Sequence, residues 1–112
     1  MVIKGIWVNF FLLAFWINAH TQVNVTFRVD LSNVGIGGDV SVAGNFESGS
    51  GQSQDWVIYE LADPDGDGIF ETTLKLQVGY YEYKFKTQDV WEVLPQACAT
   101  SNGNRLIHVE KD

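Results

Sequence analysis

Along residues 81–86 aromatic and charged side chains alternate: Tyr81, Tyr83 and Phe85 against Glu82, Lys84 and Lys86. A period of two belongs to a β-strand, whose successive side chains point to opposite faces. The segment therefore reads as a strand with a dry aromatic face and a wet charged face. The same period recurs upstream, where Val23, Val25, Phe27, Val29 and Leu31 alternate with Asn24, Thr26, Arg28 and Asp30. It recurs again over Ile69 to Leu76, with Phe70, Thr72, Leu74 and Leu76 on one face. Near the C-terminus Ile107 and Val109 oppose Asn104, Leu106 and His108.

Between these runs lie turn signals. Gly35, Gly37 and Gly38 separate the opening strand from a second one, Val40 and Val42 leading into Ala43-Gly44-Asn45-Phe46. Glu47 to Asp55 is rich in Gly, Ser and Gln and reads as a flexible surface loop. Trp56 to Leu61 reads as a short irregular strand, Asp63 to Gly68 (DPDGDG) as a tight turn, and Gln77-Val78-Gly79 as the turn into the aromatic strand. Helical periodicity is absent from this part of the chain. Short strands with regular turn signals predict an all-β fold, an antiparallel β-sandwich.

The first 21 residues do not fit that pattern. Lys4 precedes an apolar segment, Ile6 to Ile17, followed by Asn18-Ala19-His20-Thr21. This is the layout of a secretory signal peptide, with cleavage expected near Ala19 or Thr21. Its apolar run is about a dozen residues, short of the ~20 a spanning helix needs. Residues 22–112 are then expected to form one secreted, cell-surface or periplasmic domain. Its roughly 90 residues can bury a modest core without disulfide staples. Cys98 is the one cysteine, so no intrachain disulfide forms. It reads as a small buried hydrophobe or as a thiol open to a partner, the buried reading being expected. The formal charge of −7 leaves no basic stripe for phosphates or anionic membranes, and suits a neutral ligand.

Lys84 stands on the wet face of the aromatic strand, and Trp91 follows a short loop later. An exposed ring covers the C–H faces of a sugar while a neighbouring ammonium donates to its oxygens. These residues point to a hydroxyl-rich ligand.

The order of VAGNF (Val42 to Phe46), YEYKF (Tyr81 to Phe85), Trp91 and NRLIHV (Asn104 to Val109) resembles the starch- and glycogen-binding modules. These are carbohydrate-binding modules of families 20 and 48, including the glycogen-binding domain of the AMP-activated kinase β subunit. The chain bears a closer likeness to a group of secreted Bacteroidetes domains of that type. The shared motifs are VTFRVDL (Val25 to Leu31), Asp55-Trp56, LADPDGDG (Leu61 to Gly68), VLPQAC (Val93 to Cys98) and Asn104-Arg105. The resemblance implies an immunoglobulin-like antiparallel β-sandwich that binds α-glucans without hydrolysing them. Carried over by position, it implies Trp56, Lys84, Trp91 and Asn104 as the ligand-binding residues. The loop before Trp56, Glu47 to Asp55, is longer than the short loop of the kinase-type modules by about nine residues.

Asp63, Asp65, Asp67 and Gly68 match the first half of a calcium loop, but Leu74 stands where a bidentate glutamate belongs. Calcium is one reading of this loop and a solvated Asp/Gly hairpin turn the other. No enzymatic activity is expected. His108 is the one histidine beyond the signal segment, no nucleophile or metal-ligand motif accompanies it, and about 90 residues of sandwich rarely form a catalytic cleft. The expected partner is an α-glucan, with no nucleic acid and no membrane after cleavage. Two ring faces and a few wet hydrogen bonds give roughly 4–7 kcal/mol, or millimolar to ~10 micromolar affinity. The rival reading is a structural or protein-interaction sandwich with no glycan binding.

Overall fold

The computed structural model describes residues 22–34, 38–48 and 55–111. The expected signal peptide (1–21), the first glycines of the turn (35–37) and most of the Gly/Ser/Gln loop (49–54) lie outside the described residues. Seven strands lie among the described residues: β1 (Gln22–Asp30), β2 (Val40–Gly44), β3 (Val57–Glu60), β4 (Ile69–Gln77), β5 (Gly79–Thr87), β6 (Val90–Trp91) and β7 (Arg105–Val109). Single 3-10 turns occur at Phe46–Ser48 and Gln96–Cys98.

Every pairing is antiparallel. β1 and β4 form a two-stranded sheet paired over their full length, from Gln22↔Gln77 to Asp30↔Ile69. The second sheet runs β3-β2-β5, and β6 and β7 share the far edge of β5. β7 pairs Gly79 to Tyr83, whereas β6 pairs Lys86 and Thr87. The chain is thus the all-β antiparallel sandwich that the alternating pattern predicts.

The predicted dry faces meet between the sheets. Phe27 from β1 and Phe70 and Leu76 from β4 pack with Val40 and Val42 from β2, Tyr81 and Phe85 from β5 and Val109 from β7. Phe27 sits 5.2 Å from Phe46 and 5.1 Å from Tyr83, ring centroid to ring centroid. Tilted and edge contacts of this kind add about 0.5–1.5 kcal/mol per pair beyond area burial. Tyr81 is fully buried, and its hydroxyl donates to the Gln77 carbonyl oxygen at 2.8 Å.

The Gly44-Asn45-Phe46 stretch has a physical reason for each residue. A Cβ on Gly44 would come within 2.5 Å of Phe46 Cζ and 2.7 Å of the Glu82 carbonyl oxygen. Asn45 prolongs the β2–β5 ladder with its side chain, Oδ1 accepting from the Glu82 N–H at 3.0 Å. Phe46 then fills the core at 4% exposure. The DPDGDG turn ends on Gly68 at φ +85°, a left-handed conformation that favours glycine. Its carbonyl oxygen accepts from the Leu31 N–H at 2.8 Å and so ties the end of β1 to the start of β4.

Two expectations need correction. Cys98 is exposed, not buried. It ends the 3-10 turn after Pro95, none of whose residues is buried. The segment after Asp55 is no irregular strand: β3 pairs regularly with β2 from Gly44↔Val57 to Ser41↔Glu60.

Candidate functional site

The outward face of the larger sheet collects the residues singled out in the sequence. Because Tyr81, Tyr83 and Phe85 face the core, Glu82, Lys84 and Lys86 face out. The register places Ala43 and Ile58 beside Lys84, Trp91 beside Lys86, and Leu106 beside Glu82. Trp56 precedes β3 on the same parity as Ile58.

Trp56 and Trp91 stand on opposite sides of β2 and β5, yet their ring centroids are 6.5 Å apart with planes at 79°. The indoles therefore lean towards each other across the sheet. Ala43 points outward from β2 and is nonetheless fully covered, so its neighbours on this face lie over it. Both indoles keep exposed surface, 36% for Trp56 and 41% for Trp91. Trp56 thus shares the face that carries Trp91.

Trp91 is held by a hairpin that the sequence did not announce. β5 and β6 are joined by the two-residue loop Gln88-Asp89, both residues at positive φ (49° and 65°), the form that matches strand twist. This register sets Lys86 directly across from Trp91, with Nζ 5.1 Å from the ring centroid. A cation over an indole is attracted by the ring's negative face. Lys86 also pairs with Asp89 at 3.6 Å. Lys84, the cation expected beside Trp91, is half-buried two residues back on β5. It lies close enough to Glu92 to help hold that carboxylate ionised.

Asn104 enters the same face at the start of β7. Its Nδ2 donates to Glu82 Oε1 at 3.1 Å, and Glu82 Oε1 also accepts from Thr100 Oγ1 at 2.8 Å. The amide keeps a second N–H and its oxygen for further bonds. Glu92 anchors the exit from β6. Its carboxylate accepts from Arg105 Nε at 2.8 Å, Arg105 Nη2 at 2.9 Å and the Phe85 N–H at 2.9 Å. Partial burial pushes the Glu92 carboxyl up, but Arg105 and the Phe85 N–H outweigh it and hold the group below its ordinary value. Glu82, Lys86 and Glu92 were not singled out in the sequence; counting back from Trp91 across a two-residue turn would have found Lys86.

The acidic loop lies against the other sheet. Asp63, Asp65 and Asp67 each bring a carboxylate oxygen within 4.8 Å of the others, close enough to hold a cation. Several of these oxygens already serve the turn. Asp63 accepts from the Asp67 and Gly68 N–H groups, Asp65 from the Asp67 N–H, and Asp67 from the Ile69 N–H. Desolvation pushes Asp63 up, yet the Gly68 N–H, hydrogen bonds with the neighbouring carboxyls and the Asp67 N–H together hold it below its ordinary value. The same hydrogen bond to Asp63 raises Asp65. An open cleft of about 570 Å³ beside the loop is lined by Pro64, Asp65, Asp67, Ile69, Glu71 and Thr73. It presents carboxylates and no ring, so it suits a sugar face less well than the indole pair. No protein-family model matches the chain, and no curated protein matches it closely enough to count as a relative.

Proposed function

We propose that this protein is a secreted, noncatalytic module that binds α-glucans such as starch and glycogen. The observation that carries the reading is the pair of partly exposed indoles, Trp56 and Trp91, set edge to face at 6.5 Å on one sheet surface. Apolar side chains scattered singly over a surface are ordinary, whereas two partly exposed indoles converging on one spot form the kind of patch a ligand covers. Their near-perpendicular planes support a curved ligand, since a flat sugar ribbon needs coplanar rings. An α-linked glucan curves. Lys84 and Asn104, on the same face, supply donors to ring and hydroxyl oxygens.

In this reading the indoles cover the apolar faces of adjacent glucose units and release the water that lay on them. The polar groups then fix the register of the chain. No bond is broken and no cofactor is required. Calcium, if held at Asp63, Asp65 and Asp67, would brace the turn of the other sheet and take no part in glucan contact.

Retention on insoluble starch and on glycogen tests the reading. Wild type should be retained and be eluted by soluble α-glucan. Trp91→Ala should abolish retention, Trp56→Ala and Lys84→Ala should weaken it, and all should keep their fold by circular dichroism. A folded wild type that passes through both matrices would instead support the structural or protein-interaction reading.

A further inference from the structure

The outward face does not end at the indole pair. At the other end of β5, Tyr80 is paired in register with His108 of β7. Their rings stack with centroids 4.1 Å apart and planes within 8°. Tyr80 nevertheless stays 57% exposed, and His108 is exposed. One face of Tyr80 is taken by His108. On its other side no strand stands beside it among the described residues, because β2 ends at Gly44, opposite Tyr83. Leu106 adds an exposed apolar side chain on the adjoining position of β7.

We infer that Tyr80, backed by His108, is a second stacking platform for the same polysaccharide chain that the indole pair holds. The inference rests on the glucan reading above and extends its site from two rings to the full length of the sheet face. Lys84 lies four steps along β5 from Tyr80, roughly 13 Å at the rise of a strand. What fills that interval decides between a sugar and a protein as occupant. Glu82, Lys84 and Asn104 lie there, with Glu82 already bonded to Asn104 and Thr100. A protein partner covering both ring groups would strip water from these charges and leave bonds unmade. A glucan laid along the same row returns hydroxyl groups to them. Apolar rings at both ends of a polar row thus suit a long, hydroxylated ligand.

The backing ring gives the platform its rigidity. The stack holds Tyr80 in one orientation before any ligand arrives, so less freedom is lost on binding. His108 is then a positioning residue and Tyr80 the contact.

The consequence is a dependence on chain length. A disaccharide can cover the indoles but cannot also reach Tyr80, whereas a heptasaccharide spans both. NMR titrations that follow the indole N–H resonances of Trp56 and Trp91 measure both ligands, even at millimolar affinity. Maltose and maltoheptaose should be titrated into wild type, Tyr80→Ala, Tyr80→Phe and Trp91→Ala. Loss of one stacking ring should weaken maltoheptaose on the order of tenfold in Tyr80→Ala. Maltose binding should stay as in wild type, and Tyr80→Phe should retain the long-chain affinity. If Tyr80→Ala binds maltoheptaose as tightly as wild type while Trp91→Ala loses both ligands, the second platform is overturned and the indole site survives. If wild type binds neither ligand, the glucan reading falls and takes the platform with it.

Discussion

Glu92 occupies the place of a missing strand segment, and removing it should be costly far beyond what a surface carboxylate suggests. β7 accompanies β5 only as far as Tyr83, and β6 begins only at Lys86. The Phe85 N–H therefore has no strand opposite it, and the Glu92 carboxylate accepts it at 2.9 Å. The Glu92 N–H completes the exchange by donating to the Phe85 carbonyl oxygen at 3.1 Å. Glu92→Ala leaves the N–H of a buried residue without an acceptor and Arg105 without its bidentate partner. A hydrogen bond to a charged group contributes about 1.5–3 kcal/mol. The Arg105 side chain is 41% exposed and that of Glu92 20%, so the ion pair itself is screened and counts for about 1 kcal/mol or less. Together the loss should be roughly 2–3 kcal/mol, or about 10–20 °C in melting midpoint for a domain of this size. Glu92→Gln keeps an oxygen for Phe85 and loses only the charge, so about 1 kcal/mol is expected.

Urea unfolding followed by tryptophan fluorescence measures both variants. A Glu92→Ala loss below about 0.5 kcal/mol, or equal losses for Ala and Gln, would refute the strand-substitute argument. The pH dependence gives a second check. The folded-state pKa of Glu92 lies below its ordinary value of 4.5. Its contribution is therefore fully present above the unfolded value and is lost as pH falls through the folded one. Glu92→Gln should flatten the acid limb of the stability profile over that window. Since Glu92 follows Trp91 directly, glucan affinity should also fall in Glu92→Ala, and less in Glu92→Gln.

Gly44→Ala should destabilise by about 2 kcal/mol or more, because the new Cβ meets the Glu82 backbone oxygen at 2.7 Å as well as the buried Phe46 ring; a midpoint within about 2 °C of wild type would contradict this. Asp65→Asn should raise the melting midpoint in chelator at neutral pH, since the hydrogen bond to Asp63 already favours an uncharged group there. A fall in chelator would oppose this account, and a rise in wild-type midpoint on adding calcium, lost in Asp65→Asn, would mark the loop as a metal site.

The fold was legible because each long strand has one face on the core. In β1, Phe27 is buried and Val23, Val25, Val29 and Leu31 are half-buried, while the residues between them are exposed, as the alternation requires. β3 was harder to read for the opposite reason. Trp56, Val57, Ile58 and Tyr59 are all apolar or aromatic, so no period shows which side is dry. The structure turns Val57 and Tyr59 inward and leaves Trp56 and Ile58 out. An apolar run can therefore hide an exposed ring among core residues. The β5–β6 hairpin was hidden because Gln and Asp, not Gly or Asn, hold its left-handed positions.

The arrangement of the candidate site required the third dimension. Its two indoles come from opposite flanks of the sheet, 35 positions apart in the chain, and the loop joining Phe46 to Trp56 carries no periodicity from which to count. What sequence could supply was parity: Lys84, Trp91 and Asn104 each carry a signal for the outward face. What it could not supply was how far a side chain leans along that face. Ala43 shows why this matters. It reads as strand filler, yet its small side chain sits on the outer face between Ile58 and Lys84, fully covered. A residue of larger volume there would compete for the space its neighbours now lie over. A residue that carries no chemical signal of its own thus lies covered on the same face as the rings. Sequence readings of such surfaces should weigh the small residues between the aromatic ones as heavily as the rings.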